Sequence, residues 1–380
     1  MPLRDLGDSV SYSIFGEVSK MASRGQKVYP LAIGEPSFDT PSAVIEEAHR
    51  SLKAGNTHYV SSYGIDEVRE AIVAKVRRRN RINAKLENAI FITTKLAVYA
   101  SIVATTDGGG EVLIPDPGYF YHQPVALAGA APVRYRLAED YSLDLNAVRR
   151  KATSKTKAII LNTPSNPTGR MFGKEELKSL LEFCEMKGIK VISDESYEEL
   201  AYEKKHVSIG SLEVEPSDVI SIFSLSKSFA MTGWRAGYAV GSREIVRLIN
   251  RFIEHTVSCF PPFIQMASAR ALRHESPSTR RFRDQLRRRR DLIEEMMKRT
   301  PRLEFFSADG AFYAFPSYKS RVNSLPFCQT LLRSTGVAVL PGIIFGPAGE
   351  RHLRISFAAP RDTIEGGMRL LGEFLRGLPE

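Results

Sequence analysis

The sequence predicts an α/β protein, with a large domain built on a mostly parallel central sheet and a smaller α/β domain, and three observations predict it. From about Glu111, short apolar runs alternate with helical patterns, the mark of parallel strands crossed over by helices. Four of these runs, EVLIP, KAIILN, IKVISD and DVISIFS, are apolar on both parities, as strands covered on both faces must be. The last three end in polar residues: Asn162 and Thr163, then Asp194, then Ser224, Ser226 and Lys227. In an open α/β sheet, loops and helix N-termini converge beyond the carboxyl ends of the strands, so these residues point at one cleft.

Taken in order, the segment before Pro41 is punctuated by Gly and Pro and reads as an arm. Residues 1–45 are assigned to this arm and part of the smaller domain, 46–276 to the large domain, and 277–380 to an interdomain helix and the rest of the smaller domain. The helical stretch from about Pro277 to Arg299 is too long for a simple crossover. Strand-like LEFF, GAFYAFP, GVAVLPG and HLRISFA follow it, then a terminal helix, TIEGGMRLLGEFLRGL.

Composition narrows the function classes. With 380 residues, 43% hydrophobic and 25% charged, the chain is neither disordered nor fibrous. MPLRDLGDSVSYSIF carries charges where a signal peptide needs an apolar core, and no run approaches the roughly 18 apolar residues of a membrane span. A cytoplasmic protein without a membrane partner is therefore expected. Cys184, Cys259 and Cys328 are odd in number and lack a CxxC pattern, against both a disulfide framework and a metal site; buried free thiols are expected. The net charge of +10 raises nucleic acid as a partner. Against it, the run Arg287 to Arg290 has Asp284, Asp291, Glu294 and Glu295 at helical pairing distance, and only Phe282 for stacking on bases.

The most specific stretch is SLSKSFAMTGWRAGY, Ser224 to Tyr238. Lys227 lies just past a buried strand, with hydroxyls at Ser224 and Ser226 and a cation at Arg235. Desolvation beside a cation leaves an amine partly neutral and able to attack a carbonyl, while serines and an arginine hold a phosphate. Pyridoxal phosphate, an aldehyde that bears a phosphate, meets both demands. The plainer alternative is a surface lysine after a strand. Upstream, DESY supplies Asp194 and Tyr197, and NTPSNPTG supplies Asn166. A pyridine ring is an electron sink only while its nitrogen is protonated, which an ionised carboxylate secures; its phenolic oxygen needs donors such as Tyr197 and Asn166. A helix cap at Asp194 or a turn at Asn166 is plausible singly, but not for every such residue at successive strand ends.

These motifs, with LAIGEPSFDTP, YVSSYGIDEVREAI, EVLIPDPGYFYH, SDESYEEL and LPGIIFGPAGERHLRISFA, resemble the class I/II aminotransferases of the fold-type I pyridoxal-phosphate superfamily over nearly the whole chain. The resemblance implies that Lys227 is the Schiff-base lysine and proton shuttle, and Asp194 the partner of the pyridine nitrogen. It implies Asn166 and Tyr197 as donors to the ring hydroxyl, and Ser224 and Arg235 as phosphate ligands. Tyr119 falls where an aromatic ring stacks on the cofactor, with His122 behind Asp194 as its partner. Arg354 matches the clamp on the substrate's α-carboxylate, and Gly34 the glycine whose backbone lies against substrate. Tyr59 matches a tyrosine that reaches the neighbouring subunit's phosphate, which implies a homodimer with shared sites.

One departure from the family pattern stands out. Where relatives read T-x-G-A or T-x-G-S, this chain has ITTKLAVYA, with Lys95 and Leu96 at the small-residue positions. Backbone amides at a helix N-terminus hold phosphate whatever the side chain, so Lys95 and Leu96 are expected to begin a helix facing the phosphate. The implied reaction exchanges an amino group between an L-amino acid, with aspartate and glutamate favoured, and a 2-oxo acid such as 2-oxoglutarate. Aromatic or alanine-type donors, or a lyase eliminating a β substituent, would use the same residues. A DNA-binding domain ahead of residue 30 is not expected.

Overall fold

The computed structural model describes residues 7, 9–273 and 277–378. Its centre is a seven-stranded sheet. In chain order the strands are β1 (Ala89–Phe91), β2 (Glu111–Asp116), β3 (Ala131–Arg136), β4 (Thr156–Asn162), β5 (Lys190–Asp194), β6 (Val219–Ser224) and β7 (Gly237–Val240). They lie side by side as β1-β7-β6-β5-β4-β2-β3. The five strands β2 to β6 are parallel, and β7 and β1 are antiparallel to their neighbours at one edge. The four apolar runs of the sequence are β2, β4, β5 and β6. The other three strands escape that pattern: β1 and β7 are short, and β3, APVRYR, is an edge strand whose Arg134 and Arg136 suit one covered face.

Strand periodicity explains the burial. Ile160, Ile192 and Ile222 point into one core, while Ile159, Leu161 and Val191 point into another across the sheet. A sheet buried on both faces leaves its edges and strand ends as the places for polar chemistry.

Three helices position the site: α1 (Thr94–Thr106) after β1, the single turn α2 (Leu225–Ser228) after β6, and the 22-residue α3 (Pro277–Lys298). The last matches the long helix read from the sequence. It is pinned by Arg290, whose guanidinium donates to Glu203 at 2.5 and 2.7 Å and to Asp291 at 2.6 Å. Beyond α3, Tyr313–Ala314 and Leu340–Pro341 flank β8 (Leu353–Ser356), both antiparallel to it. The arm returns to this region: Tyr29–Pro30 pairs in parallel with Val337–Ala338. The stretch before Pro41 is more ordered than its punctuation suggests, since Val10–Ser23 is a helix that packs Ile14 and Val18 beside Phe315 and Leu340. Cys184 and Cys328 are buried free thiols, whereas Cys259 is half-buried. Among the described residues no helix is long and apolar enough to cross a membrane, and no cluster of His, Cys, Asp and Glu could hold a metal.

Candidate active site

The carboxyl ends of β4, β5 and β6 open on one cleft, and each contributes a side chain. β5 ends on Asp194, only 6% exposed. Its carboxylate accepts from the Tyr121 hydroxyl at 2.8 Å and from the Ser196 amide and hydroxyl at 3.1 and 2.5 Å. Burial pushes this carboxyl upward, and the Ser196 and Tyr121 hydrogen bonds oppose it. β4 ends on Asn162, which donates to the Asp194 carbonyl at 3.0 Å and accepts the Asn166 amide at 2.7 Å, fixing the NTPSNP loop.

β6 ends on Ser224, whose hydroxyl caps α2 by accepting the Ser226 amide at 3.2 Å. The cap turns the chain so that Lys227 enters the cleft, where its Nζ donates to the Gly34 carbonyl at 2.7 Å. Burial lowers the amine to about 8; Glu35 works against this, and the positive charges of Arg354 and Arg235 add to it.

The phosphate-binding candidates gather at the N-terminus of α1. Thr93 precedes the helix in extended conformation, Lys95 is exposed and Leu96 is half-buried against the main core. Both residues are helical, the conformation expected of them. Arg235 has positive φ, 56°, and its guanidinium donates to the Thr232 carbonyl at 2.6 Å and the Thr93 hydroxyl at 3.4 Å. A cation and the free amides of a helix start thus meet at Thr93.

Arg354 comes from β8 and is 3% exposed. It donates to the Ala32 carbonyl at 2.6 Å and to Asn166 Oδ1 at 3.2 Å, while its buried Nε has no hydrogen-bond partner among the described residues. The guanidinium lies 4.4 Å from the Tyr313 ring centre and 5.4 Å from that of Phe345. Tyr197 is buried, its hydroxyl 2.9 Å from that of Tyr313. Tyr119 is half-buried, edge-on to Tyr121 with ring centres 5.6 Å apart.

His122 stands elsewhere than expected, and Tyr59, expected at a neighbouring subunit's phosphate, lies outside this chain's own cleft. His122 is not the partner of Asp194; Tyr121 is. A helix begins at His122, so the two side chains diverge, and His122 Nδ1 is buried without a hydrogen-bond partner among the described residues. Burial, with the Arg134 charge added, lowers its imidazole. Tyr59 is 90% exposed and outside this cleft's hydrogen-bond network. Sequence reasoning also passed over Tyr121 and Tyr313. Tyr121 sits one residue from a named candidate, and Tyr313 reads as an ordinary apolar strand position in GAFYAFP. The unbroken apolar character of GAFYAFP signals at most a buried phenol, whose hydroxyl must find a partner.

Known proteins resemble this chain in sequence and fold. The chain is 36% identical to the aspartate aminotransferase of Pyrococcus abyssi over 99% of each chain. It is 34% identical to aromatic-amino-acid aminotransferase 2 of Thermococcus litoralis, again over 99% of each. The structure of Thermus thermophilus aspartate aminotransferase with maleate superposes at a TM-score of 0.92, with 31% identity over 98% of each chain. The family model for aminotransferase class I and II matches residues 26–368, and with relatives this similar along their full length the chain belongs to that family of transaminases.

Proposed function

We propose that the protein is a pyridoxal-phosphate-dependent aminotransferase that exchanges the amino group of aspartate or glutamate with a 2-oxo acid such as 2-oxoglutarate. Its support is the pairing, in one cleft, of a lysine depressed to about 8 with a buried carboxylate hydrogen-bonded only to neutral donors among the described residues. The residues fit the cofactor. A protonated ring nitrogen is the cation that a buried Asp194 calls for, and Arg235 with the amides of α1 suits a phosphate.

Bound pyridoxal phosphate supplies an electron sink for the pair left at the substrate Cα when its proton departs. Arg354 binds the α-carboxylate as a planar fork, its plane set by Tyr313, Phe345 and the Ala32 carbonyl. Lys227 would take the Cα proton and deliver it to the carbon that bore the cofactor's aldehyde, the second half-reaction running this transfer backwards; an amine near 8 is on the order of a tenth neutral at pH 7 and half neutral one unit higher. Asp194 holds a proton on the ring nitrogen, and Tyr197 and Asn166 orient the phenolic side.

The dicarboxylic preference draws on the relatives named aspartate aminotransferase and on the maleate, a dicarboxylate, in the Thermus structure. An aromatic donor is a second reading, favoured by an aromatic wall next to Arg354: Tyr119 and Phe120 are 4.8 Å apart, and Phe120 and Phe345 stack at 5.2 Å. An amino-acid panel against 2-oxoglutarate, with each product keto acid identified, separates the two; aspartate and glutamate are expected to give the highest kcat/KM. Borohydride reduction of the holoenzyme is expected to fix the cofactor on Lys227. A label on any other lysine overturns the assignment.

A further inference from the structure

Tyr313 is 1% exposed and meets three parts of the cleft at once. Its hydroxyl is 2.9 Å from that of Tyr197. Its ring face lies 4.4 Å from the Arg354 guanidinium carbon. Its hydroxyl also presses on Gly34, where an added Cβ would collide with it, and the Gly34 carbonyl is the acceptor for Lys227. The phenol is therefore held from three sides, with little freedom to swing away.

Of two hydroxyls in contact one donates to the other, and either can be that donor. The choice is settled by whatever else the pair must bond. On the reading that Tyr197 donates to the phenolic oxygen of the cofactor ring, its own oxygen is left to accept, so Tyr313 has to be the donor. A hydroxyl that accepts while it donates is polarised, and its outgoing bond is strengthened. We propose that Tyr313 is a positioning residue for transamination: it donates to Tyr197, fixing the direction of the Tyr197 proton and strengthening its bond to the ring. This rests on the reading of Tyr197 above.

The test uses the holoenzymes of Tyr313→Phe, Tyr197→Phe and the double variant, and reads the pH-dependent absorbance of the bound cofactor. Weaker donation to the phenolic oxygen leaves more negative charge there, which holds the proton on the neighbouring nitrogen and raises the titration midpoint. Tyr313→Phe keeps the ring beneath Arg354, so KM should stay within about twofold, while kcat falls several-fold and the midpoint rises by roughly half a unit, about threefold in proton affinity. The double variant should titrate with Tyr197→Phe alone, because Tyr313 acts through that hydroxyl. A midpoint that Tyr197→Phe moves and Tyr313→Phe does not overturns the proposal, as does full additivity in the double variant. If neither variant moves the midpoint, the role given to Tyr197 fails first, and this proposal fails with it.

Discussion

Lys227 carries a cost that its chemistry requires. The amine has its ordinary value of 10.5 in the unfolded chain and about 8 in the folded apoprotein, so below pH 8 the fold must bury an ammonium. Between about pH 8 and 10.5 the unfolded state binds the proton and the native state does not, and stability owed to this residue rises with pH. Urea unfolding of the apoprotein against Lys227→Met should show wild type gaining on the variant by about 3 kcal/mol across that window. A difference that is flat with pH would show that the amine is not held in low dielectric. Arg354 is tested by Arg354→Lys, which keeps the charge and loses the fork. KM should rise by a similar factor for every amino-acid donor, about 1.5 to 3 kcal/mol in binding. A rise confined to dicarboxylic donors would place Arg354 at the distal carboxylate instead.

At the scale of elements, strand and helix ends do the positioning, and buried charge holds them in place. The helix Asp66–Lys75 ends on Lys75, whose Nζ donates to Asn80 Oδ1 at 2.8 Å and pairs with Glu198, which follows the β5 turn that carries Asp194 and Tyr197. Lys75 also lies 4.8 Å from the Phe223 ring of β6. Burial raises the Glu198 carboxyl, and Lys75 is the group that chiefly opposes it. Removing one member leaves a buried charge unpaired, so Lys75→Ala should cost about 3 to 5 kcal/mol in urea unfolding. Lys75→Met with Glu198→Gln should recover much of that loss. If the double variant is no better than the single, the pair is not the source of the cost.

At the scale of the whole molecule, Tyr59 has no role in this chain's own cleft. Tyr59 is 90% exposed, too much for a phenol whose role is packing. We propose that the enzyme is a homodimer in which Tyr59 completes the partner's site. Tyr59→Phe and Lys227→Ala variants, each nearly inactive alone, should regain partial activity when mixed under subunit exchange. Sedimentation as an active monomer at assay concentration would refute the shared site.

The sequence by itself determined the parallel core of the sheet, because β2, β4, β5 and β6 are buried on both faces and read as apolar on both parities. It also marked Asp194, which closes β5, and Lys227 and Asn166, a few residues past the ends of β6 and β4, since polar residues that follow an apolar strand stand out against what precedes them. The strands β1, β3 and β7 were not legible, being short or at an edge, where neighbours rather than pattern decide pairing. Only the tertiary structure decided that Tyr121, and not His122, reaches Asp194, because one step along the chain at a helix start sends consecutive side chains apart. It alone brought Tyr313 against Tyr197, Gly34 and Arg354, four residues from four distant segments. A buried tyrosine in an apolar strand looks the same in sequence whether its hydroxyl serves packing or chemistry; what it meets across the fold makes the difference.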